Sequence, residues 1–362
     1  MLSLTRRSLL LLGALSSAPL LLCGCTDEDG PTEAERKKAD ADLPLRSRAV
    51  ADTDRLLAGY DAVLAGPGAA QADRLRALRA EVAEHRTALA TGLAGSAAPT
   101  GPTAPTGAPS GTPGAQGTPT GPATSVVELA AAERTTAGAR LADLTAASPE
   151  LAKLLAAVSA AGALHAAALG NTTPVTGPPA ATPSASPSPS ASASAAGSAA
   201  PTGPASPTAA PRPAAETAAL QSALSAEHAA VYGYGVVGAR QPAGPQRAEA
   251  QVCYLAHQAG RDAWHRLLLG GGATPAAAAP GYQLPFPVTD PATAKQLAAH
   301  IEVQLTGVYA ALVAAGSGEL RQSAAAALRE SALRARQWGA EQSALPGLPA
   351  ADRAPTSPSP SA

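Results

Sequence analysis

Aromatic side chains are nearly missing from this 362-residue chain, which has one Phe, two Trp and six Tyr. Large rings therefore cannot fill its interior. Ala supplies most of the 46% hydrophobic content, and each Ala buries little surface. Slender, close-packed Ala/Leu helices suit that composition better than a broad core. Excess charge is missing too. The formal net charge is −1, which excludes the basic footprint of a nucleic-acid-binding protein. Cysteine is scarce, with only Cys23, Cys25 and Cys253. No His/Asp relay can be placed beside Cys253, so it reads as a small apolar residue of a helix. There is no nucleophile with a base and no phosphate-cradling glycine loop, so a substrate-converting enzyme is the least supported class.

The first 25 residues read as a targeting leader and are set aside from the fold. Arg6 and Arg7 give a positive start. The apolar run "SLLLLGALSSAPLLL" is too short, and too broken by Pro19, for a comfortable membrane span. It ends in "LCGC". Leu22 at −3, Gly24 at −1 and Cys25 at +1 resemble a lipobox, cut before a cysteine that receives a diacylglycerol. Cys23 has Leu where a small residue is needed, so Cys25 is the better acceptor. An ordinary cleaved signal peptide is the alternative. "TRRSLL" also resembles a twin-arginine export motif, with Leu9 where Phe is commoner. These features predict an exported protein anchored through lipid on Cys25 to the outer face of the cytoplasmic membrane. Once Cys25 is lipidated, only Cys253 remains, so no internal disulfide can form.

Gly and Pro, at 34 and 35 residues, are the surplus types, and they mark the linkers. Residues 26–42 read as a tether. Residues 96–122, 171–213 and 350–362 have no apolar periodicity and read as disordered Pro/Ala/Ser/Thr-rich segments. Between them the fold class is all-α. An N-terminal block, 43–95 and 123–170, is expected to form two helical hairpins. In it Ser148, Pro149 and Glu150 read as N-cap, first residue and first-turn acid of a helix. A C-terminal block, 214–349, is expected to hold helices at 214–240, 246–269, 290–315 and 319–342. The long connection 273–289 joins its two hairpins, which is the ferritin-like form of a four-helix bundle.

Charged residues on the apolar faces are the candidate sites. Glu227 shares a face with Leu220, Leu224, Val231 and Tyr234. Glu227 and His257 lie 15 residues either side of the turn near 242. Glu302 lies 15 residues before the turn at 317, and Glu330 lies 13 after it. Carboxylates and an imidazole at matched heights on four helices could hold iron or manganese. The N-terminal block echoes this with Asp52, His85, Glu133 and His165, each within an apolar stripe. The paired E-x-x-H of catalytic metal bundles is incomplete, because Leu333, Val82 and Gly162 stand where its His or Glu would be. Equally, Glu227 could pair with Arg261 or Arg334 and fix helix register, with His85 and His165 hydrogen-bonded to the acids. A buried acid is costly unless paired.

"ALSAEHAAVYGYGVVGAR", "GYQLPFPVTDPATA", Tyr309 in "GVYAALV" and Trp338 followed by "ALPGLP" together resemble the ferritin-like domain-of-unknown-function lipoproteins of high-GC Gram-positive bacteria. The resemblance covers about 215–349. It implies a ferritin-like bundle outside the membrane, supplies no reaction, and carries over no metal ligands. Two functions follow as expectations. One is a non-catalytic envelope module that binds or scaffolds, with the membrane and envelope proteins as partners. The other is an iron- or manganese-binding redox or storage protein using Glu227, His257, Glu302 and Glu330.

Overall fold

Ala, Leu, Glu and Arg dominate the segments between the Pro-rich tracts, and these are good helix formers. In a computed structural model the described residues form helices and their connections, with no strand among them. The structure describes residues 33–66, 71–93, 122–175, 212–341 and 343–349. The leader with Cys25, the two long linkers apart from their edges, and the tail lie outside the described residues.

The N-terminal block holds α1 (Glu33–Ala65), α2 (Ala72–Ala90), α3 (Val126–Asp143) and α4 (Pro149–Ala168). The C-terminal block holds α5 (Ala214–Arg240), α6 (Pro245–Gly270), α7 (Pro291–Ala315) and α8 (Gly318–Gln337). Ser148 caps α4 by accepting the Leu151 N–H, with Pro149 in the first turn. Asp290 and Thr293 form a reciprocal capping box at the start of α7. The long connection before α7 lies across the bundle. Its Leu284, Phe286 and Val288 pack with Tyr234, Val237 and Trp338.

Two boundaries differ from the sequence reading. α1 begins at Glu33, inside the segment expected to be a tether, and runs through Pro44. Its early turns are rich in Ala, Glu and Lys. Asp42 is buried there and accepts hydrogen bonds from the Ser148 N–H and hydroxyl, which ties this end of α1 to the start of α4. α8 stops at Gln337 rather than 342, because Gly339 takes a left-handed conformation and the Ala340 N–H closes back on the Ala335 carbonyl.

The sequence left open whether the blocks touch. α4 settles it by packing on α7 and α8 as well as on α2 and α3. It is buried almost all round, from Leu151 to Ala166, which its Ala-rich surface permits because small side chains let helices approach on every side. One hydrophobic core runs from Leu45, Leu141 and Leu155 to Leu220, Leu305 and Leu328. α4 and α7 are each long and apolar enough to cross a membrane, but much of that apolar surface lies inside this core. Buried polar contacts bolt the junction. Arg321 donates to the carbonyls of Leu144 and Ala147 in one block and of Val313 and Gly316 in the other. Arg336 donates to the Leu164 carbonyl, 2.6 Å away.

Candidate functional site

Each block buries one polar cluster where its helices cross. In the C-terminal block Glu227 projects from the apolar face of α5 toward α6. The His257 Nδ1 lies 2.8 Å from Glu227 Oε2, and its Nε2 lies 3.0 Å from Glu302 Oε1 on α7. The imidazole therefore stands between two carboxylates. Tyr309 donates its hydroxyl to Glu227 Oε1. Tyr234 donates to Glu302 Oε1 at 2.7 Å and stacks on the His257 ring. Arg334 of α8 approaches the other Glu302 oxygen at 3.5 Å. Glu227, His257 and Glu302 are all at most 3% exposed.

The N-terminal block repeats the arrangement. His165 on α4 places Nδ1 3.0 Å from Glu133 on α3 and Nε2 3.0 Å from Glu81 on α2. Tyr60 on α1 donates to Glu133 at 2.8 Å. The guanidinium of Arg140 is fully buried nearby, attracted by Glu133 and Asp52, and donates to Thr53. Each cluster thus sets two carboxylates against one imidazole and one guanidinium.

The charge on the imidazoles follows from this geometry. Burial alone would favour neutral His257, but hydrogen bonds and charge attraction from Glu227 and Glu302 outweigh it and raise its pKa to about 9. Burial likewise opposes a charge on His165, and Glu133 and Glu81 raise it to about 9. Both rings are imidazolium at neutral pH, with each N–H donated to a carboxylate. His85 behaves oppositely. Burial, then the nearby His165 and Arg140 cations, hold it well below the ordinary histidine value. It stacks on His165 with ring centres 5.5 Å apart, and its Nε2 meets the Ala344 carbonyl at 2.6 Å. Burial and then the adjacent carboxylates push Tyr60, Tyr234 and Tyr309 upward, so all three remain hydroxyl donors.

Of the four residues first grouped as metal candidates, Glu227, His257 and Glu302 converge and Glu330 does not. Glu330 is half exposed and pairs with Arg329, because it points off the flank of α8. In the other group Glu133 and His165 bond directly. Asp52 pairs with Arg55 at the surface side of α1, and His85 reaches a backbone carbonyl rather than an acid. Sequence reasoning missed Glu81, which precedes His85 by one helical turn and so shares its face. It also missed Tyr60, which lies in the stripe of Leu56 and Val63, and Arg140. Gly260 and Gly162 are part of the design as well. A Cβ on Gly260 would lie 2.5 Å from Glu227 Oε1, and one on Gly162 would lie 3.5 Å from Glu133 Oε2. Glu227 leans over Gly260, whereas the tightest neighbour at Gly162 is the Ala137 methyl, 3.1 Å from such a Cβ, with Glu133 at ordinary contact distance.

A ferritin-like bundle implies iron or manganese, and these donors do not fit such an ion. Both nitrogens of His257 face carboxylates, and both nitrogens of His165 do the same. A cation placed among them would meet an imidazolium and, at Glu302, the Arg334 guanidinium. Among the described residues no group of three or more His, Cys, Asp or Glu side chains is arranged to hold a metal ion.

The fold and these clusters define an all-α helical-bundle protein with charge-balanced polar cores. Residues 219–350, from within α5 to the segment after α8, are a domain of the family described as domain of unknown function (DUF4439). A solved relative is a conserved hypothetical protein, rv2844, from Mycobacterium tuberculosis. It is 38% identical over 34% of this chain and 94% of its own, with a TM-score of 0.33. No curated protein matches the chain.

Proposed function

We propose that this chain is an exported lipoprotein, held at the outer face of the cytoplasmic membrane by a diacylglycerol on Cys25. Its helical body is a non-catalytic module that binds or scaffolds in the envelope. The "LCGC" lipobox and the twin-arginine-like "TRRSLL" support export and anchoring. The observation that carries the non-catalytic reading is the closure of both clusters. Each imidazolium is clamped at both nitrogens, and each cluster carries its own arginine. Both nitrogens of each imidazole are thereby engaged, so neither ring offers a metal a free nitrogen, and the remaining Glu302 oxygen faces the Arg334 guanidinium. This is the chemistry of a structural core.

Two measurements test the two halves. Metabolic labelling with palmitate should tag the native chain in the membrane fraction, and Cys25→Ser should lose the label; an unlabelled native chain overturns the anchor. Elemental analysis of residues 26–362, grown with added iron and manganese, should find no stoichiometric metal. Stoichiometric metal that disappears in Glu227→Ala would replace this reading with the metal-binding one.

A further inference from the structure

α5, α7 and the long connection before α7 form a groove of about 200 Å³. The two helices run antiparallel. Ser317, just past α7, donates to Glu216 at the start of α5, and Gln241, just past α5, donates to the Pro291 carbonyl at the start of α7. The groove follows them from Ala226 and Val308 up to Gly233 and Leu297. Its floor is tight, since a Cβ on Gly233 would lie 2.5 Å from Ile301 Cδ1.

The rim is aromatic in a chain that has few aromatic residues. Tyr232 is 41% exposed, and its ring meets Tyr282 of the connection with centres 5.5 Å apart and planes 49° apart. Two rings at that angle form a wedge. Tyr282 is held in place because its hydroxyl accepts the Ala279 N–H at 3.1 Å. Pro285 and His300 continue the rim, and the Phe286 ring stands edge-on to His300 at 6.2 Å. Gln283 and Gln304 are exposed along it and bring side-chain donors, as does the Tyr232 hydroxyl.

Angled rings with donors between them suit one backbone form. A polyproline II helix makes no internal hydrogen bonds, so its carbonyls accept from outside, and residues three apart share one edge. Aromatic-lined grooves bind it through its proline rings. The chain carries such a segment just before α5. Pro201, Pro204 and Pro207 in "PTGPASP" are spaced by three. They lie in 176–211, outside the described residues, a stretch without a charged side chain that matches the neutral Tyr, Gln and Pro rim.

The length fits as well. Ala226 and Tyr232 lie 13 and 19 residues beyond Pro213, where α5 begins. At ~1.5 Å per residue these points are about 20 and 28 Å along the helix. A polyproline II segment folded back along α5 at ~3.1 Å per residue comes level with them about 6 and 9 residues upstream, at Pro207 and Pro204. We propose that residues 201–207 dock in this groove of their own chain as a polyproline II helix. Pro204 enters the Tyr232–Tyr282 wedge and Pro207 lies over Ala226 and Val308. The groove is a polyproline-recognition site that the chain fills itself, which ties the second linker to the C-terminal block.

This goes beyond the envelope-module reading and does not rest on it, since lipid-free residues 26–362 suffice for the test. Ile301 is the only isoleucine in the chain and lines the groove, so a ¹³C-methyl isoleucine label gives one NMR signal that reports on the site. That signal should differ between the native chain and a triple variant, Pro201→Ala, Pro204→Ala and Pro207→Ala, whose changes lie outside every helix. A peptide of residues 199–209, added to the triple variant at millimolar concentration, about what a tether supplies, should move the signal to its native position. With Tyr232→Ala added to the triple variant, roughly tenfold more peptide should be needed for the same shift. Tyr232 is exposed, so this truncation should leave helicity and melting temperature as they were. Coincident signals in the native chain and the triple variant, a variant signal that the peptide does not move, or equal peptide affinity with and without Tyr232 overturns the proposal. A native signal that drifts to the variant position on dilution also overturns it, by assigning the occupant to a second copy. Palmitate labelling and metal content are unaffected by any of these outcomes, so failure here leaves the anchored, non-catalytic reading intact.

Discussion

Gly260 of α6 and Glu227 of α5 face each other so closely that a methyl group on Gly260 would lie 2.5 Å from Glu227 Oε1. Backbone and carboxylate share a space that only hydrogen can occupy. Glycine within a helix usually costs about 1 kcal/mol relative to alanine, so its presence there needs a reason. The reason here is room for a buried acid that already bonds His257 and Tyr309.

Gly260→Ala should therefore destabilise the protein by about 1–3 kcal/mol, the ordinary range for overpacking. Gly235→Ala and Gly238→Ala in α5 meet nothing within 4 Å and should stabilise by about 0.5–1 kcal/mol. Thermal or urea unfolding of the three variants checks the reversal of sign.

Stability should depend on pH with a maximum near 6.5. His165 and His257 have pKa values of about 9 in the folded chain, raised above the unfolded value near 6.5. Their contribution is fully present below about 6.5 and is lost as pH rises through about 9. His85 is held well below its ordinary value, so its contribution is present above about 6.5 and declines as pH falls below it. Melting temperatures from pH 5 to 9.5 should fall on both sides of that maximum. His257→Gln together with His165→Gln should flatten the alkaline limb, and His85→Gln the acid limb.

Removing one member of a balanced cluster should cost far more than removing a bystander. Arg334→Ala leaves Glu302 buried beside a single cation, and Arg140→Ala does the same to Glu133. Each should cost about 1–3 kcal/mol, less than the roughly 3–5 kcal/mol of a wholly unpaired buried charge, because the imidazolium and a tyrosine hydroxyl still hold the acid. Glu330→Ala, at the surface of α8, should change stability by less than about 0.5 kcal/mol. Equilibrium denaturation of the three variants separates a structural cluster from a loose set of acids on one bundle.

The helices were largely legible in the sequence, and the clusters only in part. Ser148–Pro149–Glu150 and Asp290–Pro291 announced their helix starts because capping is local chemistry. Matched heights found Glu227, His257 and Glu302 because antiparallel hairpins convert sequence distance into height. Glu330 has the right height but the wrong azimuth, which only packing of α8 decides. Glu81 escaped because His85, one turn further along α2, already filled that helix's place at the matched height while Glu81 stands at the edge of the face, and Arg140 because an arginine on an apolar stripe reads as a helix flank until its partners are known. The shared core along α4 could not be read at all, since an Ala-rich helix shows no single preferred face.

The two blocks should behave as one folding unit. Their core is continuous, and Arg321 donates to carbonyls on both sides of the junction. A protease site inserted within 176–211 and cut should leave the two fragments eluting together under native conditions and separating only in denaturant. Arg321→Ala should lower the denaturant concentration needed, by removing a buried donor from Leu144, Ala147 and Gly316.

The central claim is that His165 and His257 are imidazolium clamps between paired carboxylates. The most direct measurement is ¹⁵N NMR of the histidine rings in residues 26–362 at pH 7.5, with assignments from His165→Gln and His257→Gln. The account predicts that both rings carry protons on Nδ1 and Nε2 at that pH and lose one only near pH 9. A neutral tautomer in either ring at pH 7.5, with one nitrogen unprotonated, would contradict it and return that nitrogen to the list of available ligands.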